Sequence, residues 1–229
     1  MVARGEAELD LGTAALLVAE FEYPELDVAH YLTQLDHFAD LASDLAASET
    51  GAHRKLRAMN RALFAELGFR GNREDYYDPR NSFLNEVIDR RLGAPISLSV
   101  IFLEVGRRLG LDMVGLNFPS HFLVRYRGGD QTLILDPFHL GMTVTSDELR
   151  VRLRQALGSE AELHEAYLQP ALKRQIVTRM LANLAAVYRR NGDVIRQLAV
   201  VERMQILDPD SRRLGREVEQ LRRRATELN

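Results

Sequence analysis

The stretch Ser120–Gly141, SHFLVRYRGGDQTLILDPFHLG, decides how the chain is read. Apolar residues alternate with polar ones on both sides of a glycine pair, which predicts two antiparallel strands joined by a two-residue turn with positive φ at both central positions. With Gly128 and Gly129 as that turn, Arg127 faces Asp130 and Tyr126 faces Gln131. Continuing outward, Val124 meets Leu133, Phe122 meets Leu135 and His121 meets Asp136. A histidine and an aspartate then stand opposite each other on one face of the sheet. A carboxylate bonded to one ring nitrogen fixes the imidazole tautomer and stabilises the imidazolium, leaving the other nitrogen free to act as a base. That division of labour suits acyl transfer. Its nucleophile can come from the N-terminus of a helix packed on the sheet, where unpaired N–H groups favour a thiolate and an oxyanion.

Upstream, PISLSVIFLEVGRRLG is predicted to be such a helix, opened by Pro95 and closed by Gly110. Before it, apolar spacings of three and four residues predict helices, with a break at Tyr23-Pro24 where proline ends one helix and opens the next. A further helix closes at Gly68, RGNREDYYDPRNS reads as a loop, and FLNEVIDRRLG as a short helix ending at Gly93. LDMVGLNFPSHFLVRY and TLILDP supply strands, and MTVTS a short one. The order is helix then small antiparallel sheet, an α+β arrangement. From about Lys173 the pattern is helical only. Leu181, Leu184, Tyr188, Gly192, Leu198 and Pro209 fall at spacings like those of one tetratricopeptide repeat, with Gln197 where alanine is usual. An ordinary helical hairpin fits equally well, and either needs the preceding part of the chain to cover its apolar face.

The chain has 229 residues and a formal net charge of -3, room for one or two ordinary domains and no sign of a polyanion partner. The Arg-rich end interleaves its arginines with Glu217, Glu219 and Glu227, as on a salt-bridged helix face. Apolar runs are cut by Glu20 and Glu104, short of the roughly 20 residues a bilayer needs. With no signal peptide evident either, a cytoplasmic location is expected. There is no cysteine, which removes disulfides, thiolate metal sites and cysteine nucleophiles together.

The run NSFLNEVIDRRLGAPISLSVIFLEVGRRLGL, followed by FPSHFLVRY and LILDPFHLG, resembles the transglutaminase-like superfamily, and more narrowly the bacterial SirB-type proteins, in which that domain precedes tetratricopeptide-like helices. The resemblance runs from about Leu16 to Pro209 and is strongest between Tyr76 and Gly141. It implies a papain-like core, a helix packed on a small antiparallel sheet, with an N-terminal helical segment over 1–70, the core over 71–165 and tetratricopeptide-like helices over 166–229. It also implies a Cys-His-Asp triad, in which His121 matches the histidine and Asp136-Pro137 the aspartate motif. The cysteine position falls on Pro95.

A serine could stand in. On a helix, Ser97 points away from the face of position 95, whereas Ser99 lies on it one turn deeper, roughly 5 Å along the axis. A metal-activated water is another route, since His139 follows Asp136 closely and two imidazoles with a carboxylate can hold zinc. The favoured expectation includes neither metal nor cofactor: a non-catalytic binding or regulatory module for a protein or peptide, not for nucleic acid or membrane. The alternative is a hydrolase or acyltransferase using Ser99, or a metal-bound water, with the His121-Asp136 pair. His30 and His37 are read as partly buried packing residues, and Tyr76, Tyr77, Arg80 and Asn81 as a binding loop or as loop ties.

Overall fold

The structure is a computed structural model and describes residues 9–48 and 53–227. The start of the helix expected around Ser48–His53 therefore lies partly outside the described residues. Helix α1 (Leu11–Leu17) is capped by Asp10, which accepts from the Thr13 N–H. Helix α2 (Val28–Ala47) does not open at Pro24, because the cap is Asp27, whose carboxylate accepts from the His30 N–H and leaves the preceding residues as turns. The buried stripe of α2 is Leu35, Phe38, Ala39, Ala42 and Ala46. His30 and His37 fall off that stripe and are exposed, which corrects the expectation of packing histidines.

Helix α3 (Arg54–Asn60) runs into a π-helical turn, Arg61–Glu66, and the chain leaves it through Gly68 at φ 75°. Strand β1 (Arg70–Gly71) pairs in parallel with β2 (Leu92–Gly93). The helix expected to end at Gly93 accordingly stops earlier: α4 (Leu84–Arg90) ends on Arg91 in the left-handed region at φ 61°. Arg91 lays its guanidinium over the Phe38 and Phe69 rings, 4.8 Å from each centroid, a stacking that holds this unusual backbone in place.

Helix α5 (Pro95–Arg108) is the axis of the core, buried from Pro95 through Gly106. Its single buried acid, Glu104, is paired with Arg108 at 2.7 Å and Arg107 at 3.1 Å. The sheet follows in meander order, β3 (Asp112–Leu116), β4 (Leu123–Gly128), β5 (Gln131–Asp136) and β6 (Met142–Thr143), all antiparallel. Phe122, Val124, Tyr126 and Leu135 join the main core with α5. Leu116, Leu123 and Val144 face the other way and meet Leu149 and Leu153 of α6 (Ser146–Leu157). Side chains alternate across the sheet, so a small sheet is covered on both faces.

Helices α7 (Lys173–Asn191), α8 (Val194–Leu207) and α9 (Arg212–Glu227) complete the chain. Ile176, Met180, Leu184 and Tyr188 belong to the same core cluster as Leu11 and Leu16 of α1. Phe21 meets the Tyr188 ring edge-on at 6.5 Å, and Arg196 grips Glu22 with two bonds of 2.8 and 3.0 Å. The arginines of α9 pair as its charge pattern suggested, Arg213 with Glu217 and Arg222 with Glu202. The protein is thus α+β, a helix-backed antiparallel sheet with helices before and after it. Among the described residues no helix is long and apolar enough to cross a membrane.

Candidate functional site

The β4–β5 hairpin exists, but its turn is Gly129-Asp130: Gly128 pairs with Gln131, Tyr126 with Leu133 and Val124 with Leu135. Every partner is displaced by two from the expected register, which leaves each side chain on its expected face. The physical reason is that only Gly129 takes positive φ, 57°, so the turn needs glycine at its first central position alone and Gly128 remains in the strand. This register puts Leu123, and not His121, across from Asp136. His121 precedes β4 and follows Ser120, a non-glycine residue at φ 55°, and this bend brings the imidazole to the aspartate.

His121 Nε2 lies 2.9 Å from Asp136 Oδ1. The same oxygen accepts the backbone N–H groups of Phe138 and His139 at 3.1 and 3.3 Å, because Asp136 caps the 3₁₀ turn Pro137–His139. Asp136 Oδ2 lies 2.7 Å from His139 Nδ1 and accepts from Arg152 Nη1 at 2.6 Å. The two imidazoles are nearly parallel, 27° apart with centroids at 5.9 Å. The carboxylate is completely buried. Burial alone pushes its pKa up, but the donors from His121, Arg152 and His139 outweigh that and hold it far below the usual carboxylate range. Each histidine gives one ring nitrogen to the aspartate and presents the other, His121 its Nδ1 and His139 its Nε2.

Arg152 was not anticipated. It sits on α6, a helix whose start was signalled by the capping box Thr145-x-x-Glu148: Glu148 N–H donates to Thr145 Oγ1 and Thr145 N–H to Glu148 Oε2. His121, Asp136 and His139 bring ligand atoms within 4.8 Å of one another, the only such group of three among the described residues. A cation there competes with Arg152 for the same carboxylate oxygen.

Pro95 occupies the first position of α5, as expected, and α5 packs against the 3₁₀ turn bearing His139. Ser97 and Ser99 are both fully buried. Ser97 Oγ donates to Asn81 O at 2.6 Å and accepts from Ala94 N–H at 3.0 Å. Ser99 Oγ donates to Pro95 O at 2.7 Å and lies 3.5 Å from Phe122 O. Its bonds go to backbone carbonyls and not to His121. Of the loop residues, Asn81 is a tie, buried and bonded to the carbonyls of Asp75 and Tyr76. Tyr76 and Tyr77 are exposed, with the Tyr76 ring 6.2 Å from that of Phe138. A cavity of about 460 Å³ borders the cluster between the 70–74 segment and the 138–142 segment, with Arg70, Arg73, Phe138, His139, Leu140 and Met142 on its walls.

The arrangement now stands beside the known proteins. The model of the transglutaminase-like superfamily matches residues 29–182, from α2 through the sheet into α7. The chain belongs to this superfamily. A UPF0162 protein of Xylella fastidiosa is 43% identical over 205 residues, covering 88% of this chain and 73% of the relative. One of Pseudomonas aeruginosa is 31% identical over 196 residues, covering 86% and 71%. The human protein named F-box only protein 21 is 35% identical over 140 residues, which span 60% of this chain and 22% of that protein. No solved structure matches the chain. Set against the superfamily's catalytic members, the histidine and aspartate of the triad are in contact here, and proline stands in the cysteine's place.

Proposed function

We propose that this protein is a non-catalytic transglutaminase-like module that binds a protein or peptide segment. The observation that carries the reading is Pro95: the buried residue opening α5, where the superfamily places its nucleophile, has no nucleophilic atom, and the chain contains no cysteine to replace it. The Ser99 route is weakened by the bond from its hydroxyl to Pro95 O. A metal-activated water is weakened by Arg152, which already supplies the counter-charge of Asp136.

The cavity beside His139 is the binding place in this reading. Phe138, Leu140 and Met142 give it apolar wall, and Arg70, which makes no ion pair among the described residues, and Arg73 give it positive charge. A peptide with an apolar side chain next to a carboxylate fits that pairing. The match to a stretch of the protein named F-box only protein 21 supports a unit that is joined to other sequence in larger chains. The SirB-type assignment, a cytoplasmic location, the division at about residues 70 and 165, and a tetratricopeptide-like role for α7 to α9 as a second docking surface belong to the same proposal.

The test is incubation of wild type, His121→Ala and Pro95→Cys with peptide, ester and amine-acceptor substrates, alongside binding of a fluorescent acidic-apolar peptide library to wild type and an Arg70→Glu/Arg73→Glu double variant. Silence of wild type, with peptide binding lost in the double variant, is expected. Turnover by wild type that vanishes in His121→Ala overturns the reading.

A further inference from the structure

A cavity of about 650 Å³ lies between the 22–27 turns, the start of α2 and helix α4, bounded by Glu22, Tyr23, Glu25, Asp27, Tyr31 and Asn85. Its charge is one-sided. Glu22 is matched by Arg196, but Glu25 and Asp27 make no ion pair among the described residues. Behind them Glu86 accepts the Tyr23 hydroxyl at 3.0 Å and Asp89 the Tyr31 hydroxyl at 2.7 Å, and neither acid has an ion pair among the described residues. The nearby cation, Arg80, is tied to Asp78 at 2.9 Å. The Tyr31 hydroxyl is pushed up to about 12, first by burial and then by Asp89 and Glu86, and Tyr23 moves the same way for the same kind of reason.

A second observation is independent of the charge. Asn85 lines this cavity, is 3% exposed, and keeps its Oδ1 buried without a donor. Buried acceptors without partners are rare in native proteins and call for an N–H or O–H from elsewhere. A metal ion is a poor candidate, because among the described residues the carboxylates of this cavity do not converge into a group of three able to share one ion.

We propose that this cavity is a binding site for an organic cation, an alkylammonium or guanidinium group on an apolar stem, that donates to Asn85 Oδ1 and to the carboxylates of Glu25 and Asp27. The rings of Tyr23 and Tyr31 flank the stem, and a concave aromatic wall with a few convergent acceptors is the usual design for such a ligand. The site is separate from the His121–Asp136–His139 cluster and does not depend on how that cluster is read.

The experiment is titration of the ¹⁵N-labelled full chain at fixed ionic strength with spermidine, standing for a free polyamine, and with Nα-acetyl-lysine methylamide, standing for a lysine on another protein. Saturable shifts confined to residues 22–31 and the Asn85 side-chain amide are expected, and the probe that binds identifies the source of the cation. Glu25→Gln is expected to weaken binding on the order of fivefold, the share of one exposed charge. Asn85→Leu removes the orphaned acceptor while filling its space, so it is expected to abolish the shifts without lowering the melting temperature. Shifts that do not saturate, that persist in Asn85→Leu, or that magnesium ions reproduce equally overturn the assignment.

Discussion

Replacing Asp136 by Asn is the most telling perturbation of the cluster. The substitution keeps the volume and one oxygen for the Phe138 and His139 N–H groups, but it removes the charge that faces Arg152, His121 and His139. Removing one partner of a buried ion pair costs about 3–5 kcal/mol, because the other charge is left unmatched in a poor dielectric. The retained acceptor places the expectation near the lower end, about 3 kcal/mol, against a total stability on the order of 5–15 kcal/mol. With an m-value of roughly 3 kcal/mol/M, the urea midpoint at pH 7 falls by about 1 M. The pH dependence fixes the cause. The folded pKa of Asp136 lies below the ordinary value of 3.8, so its contribution is complete above that value and is lost as pH falls through it toward the folded pKa. The gap between wild type and variant therefore narrows by up to about 1.4 kcal/mol per pH unit below roughly pH 3.8. Urea titrations followed by circular dichroism at pH 7, 5, 3.5 and 2.5 measure both quantities. A loss under about 1 kcal/mol at pH 7, or a gap that stays constant into acid, refutes the account of an electrostatically held carboxylate.

Ser99→Ala is expected to cost about 1 kcal/mol in chemical denaturation and to leave peptide binding unchanged, since its hydroxyl serves only backbone carbonyls. Gly71→Ala places a methyl 2.5 Å from the Phe138 ring, so a loss of about 1–3 kcal/mol and displaced His139 ring resonances are expected by calorimetry and NMR. Leu184→Ala, at a fully buried position of α7, is expected to cost about 2–5 kcal/mol and to weaken hydrogen-exchange protection in α1 as well as α7, because both lie in one core cluster.

Local signals carried far in this sequence. Pro95 opening α5, Gly68 and Gly110 closing helices in the left-handed region, and the alternation around Gly128-Gly129 each rest on physics within a few residues, and each element is present. What escaped depends on distance or on weak pattern. Strands β1 and β2 are two residues each, too short to show any alternation, and they exist because separate segments meet in parallel. Helix α6 was missed although Thr145 and Glu148 announce it, since its apolar side is only Leu149 and Leu153 amid charges. With α6 went Arg152, the partner that converts a histidine–aspartate pair into a four-residue cluster. The meeting of His121 and Asp136 was anticipated through a register that the hairpin does not have. A shift of two preserves faces, and the bend at Ser120 restored the contact.

The single core that joins α1 to α7 also sets a timetable for synthesis. Lys173 Nζ holds the Leu9 carbonyl and Arg196 holds Glu22, across 164 and 174 residues of sequence. At about 5–20 residues per second, roughly 8 to 35 seconds pass on the ribosome between the emergence of these partners. Through that interval the apolar side of α1 waits without the helices that cover it, and a nascent chain in that condition is a natural client for a holding chaperone.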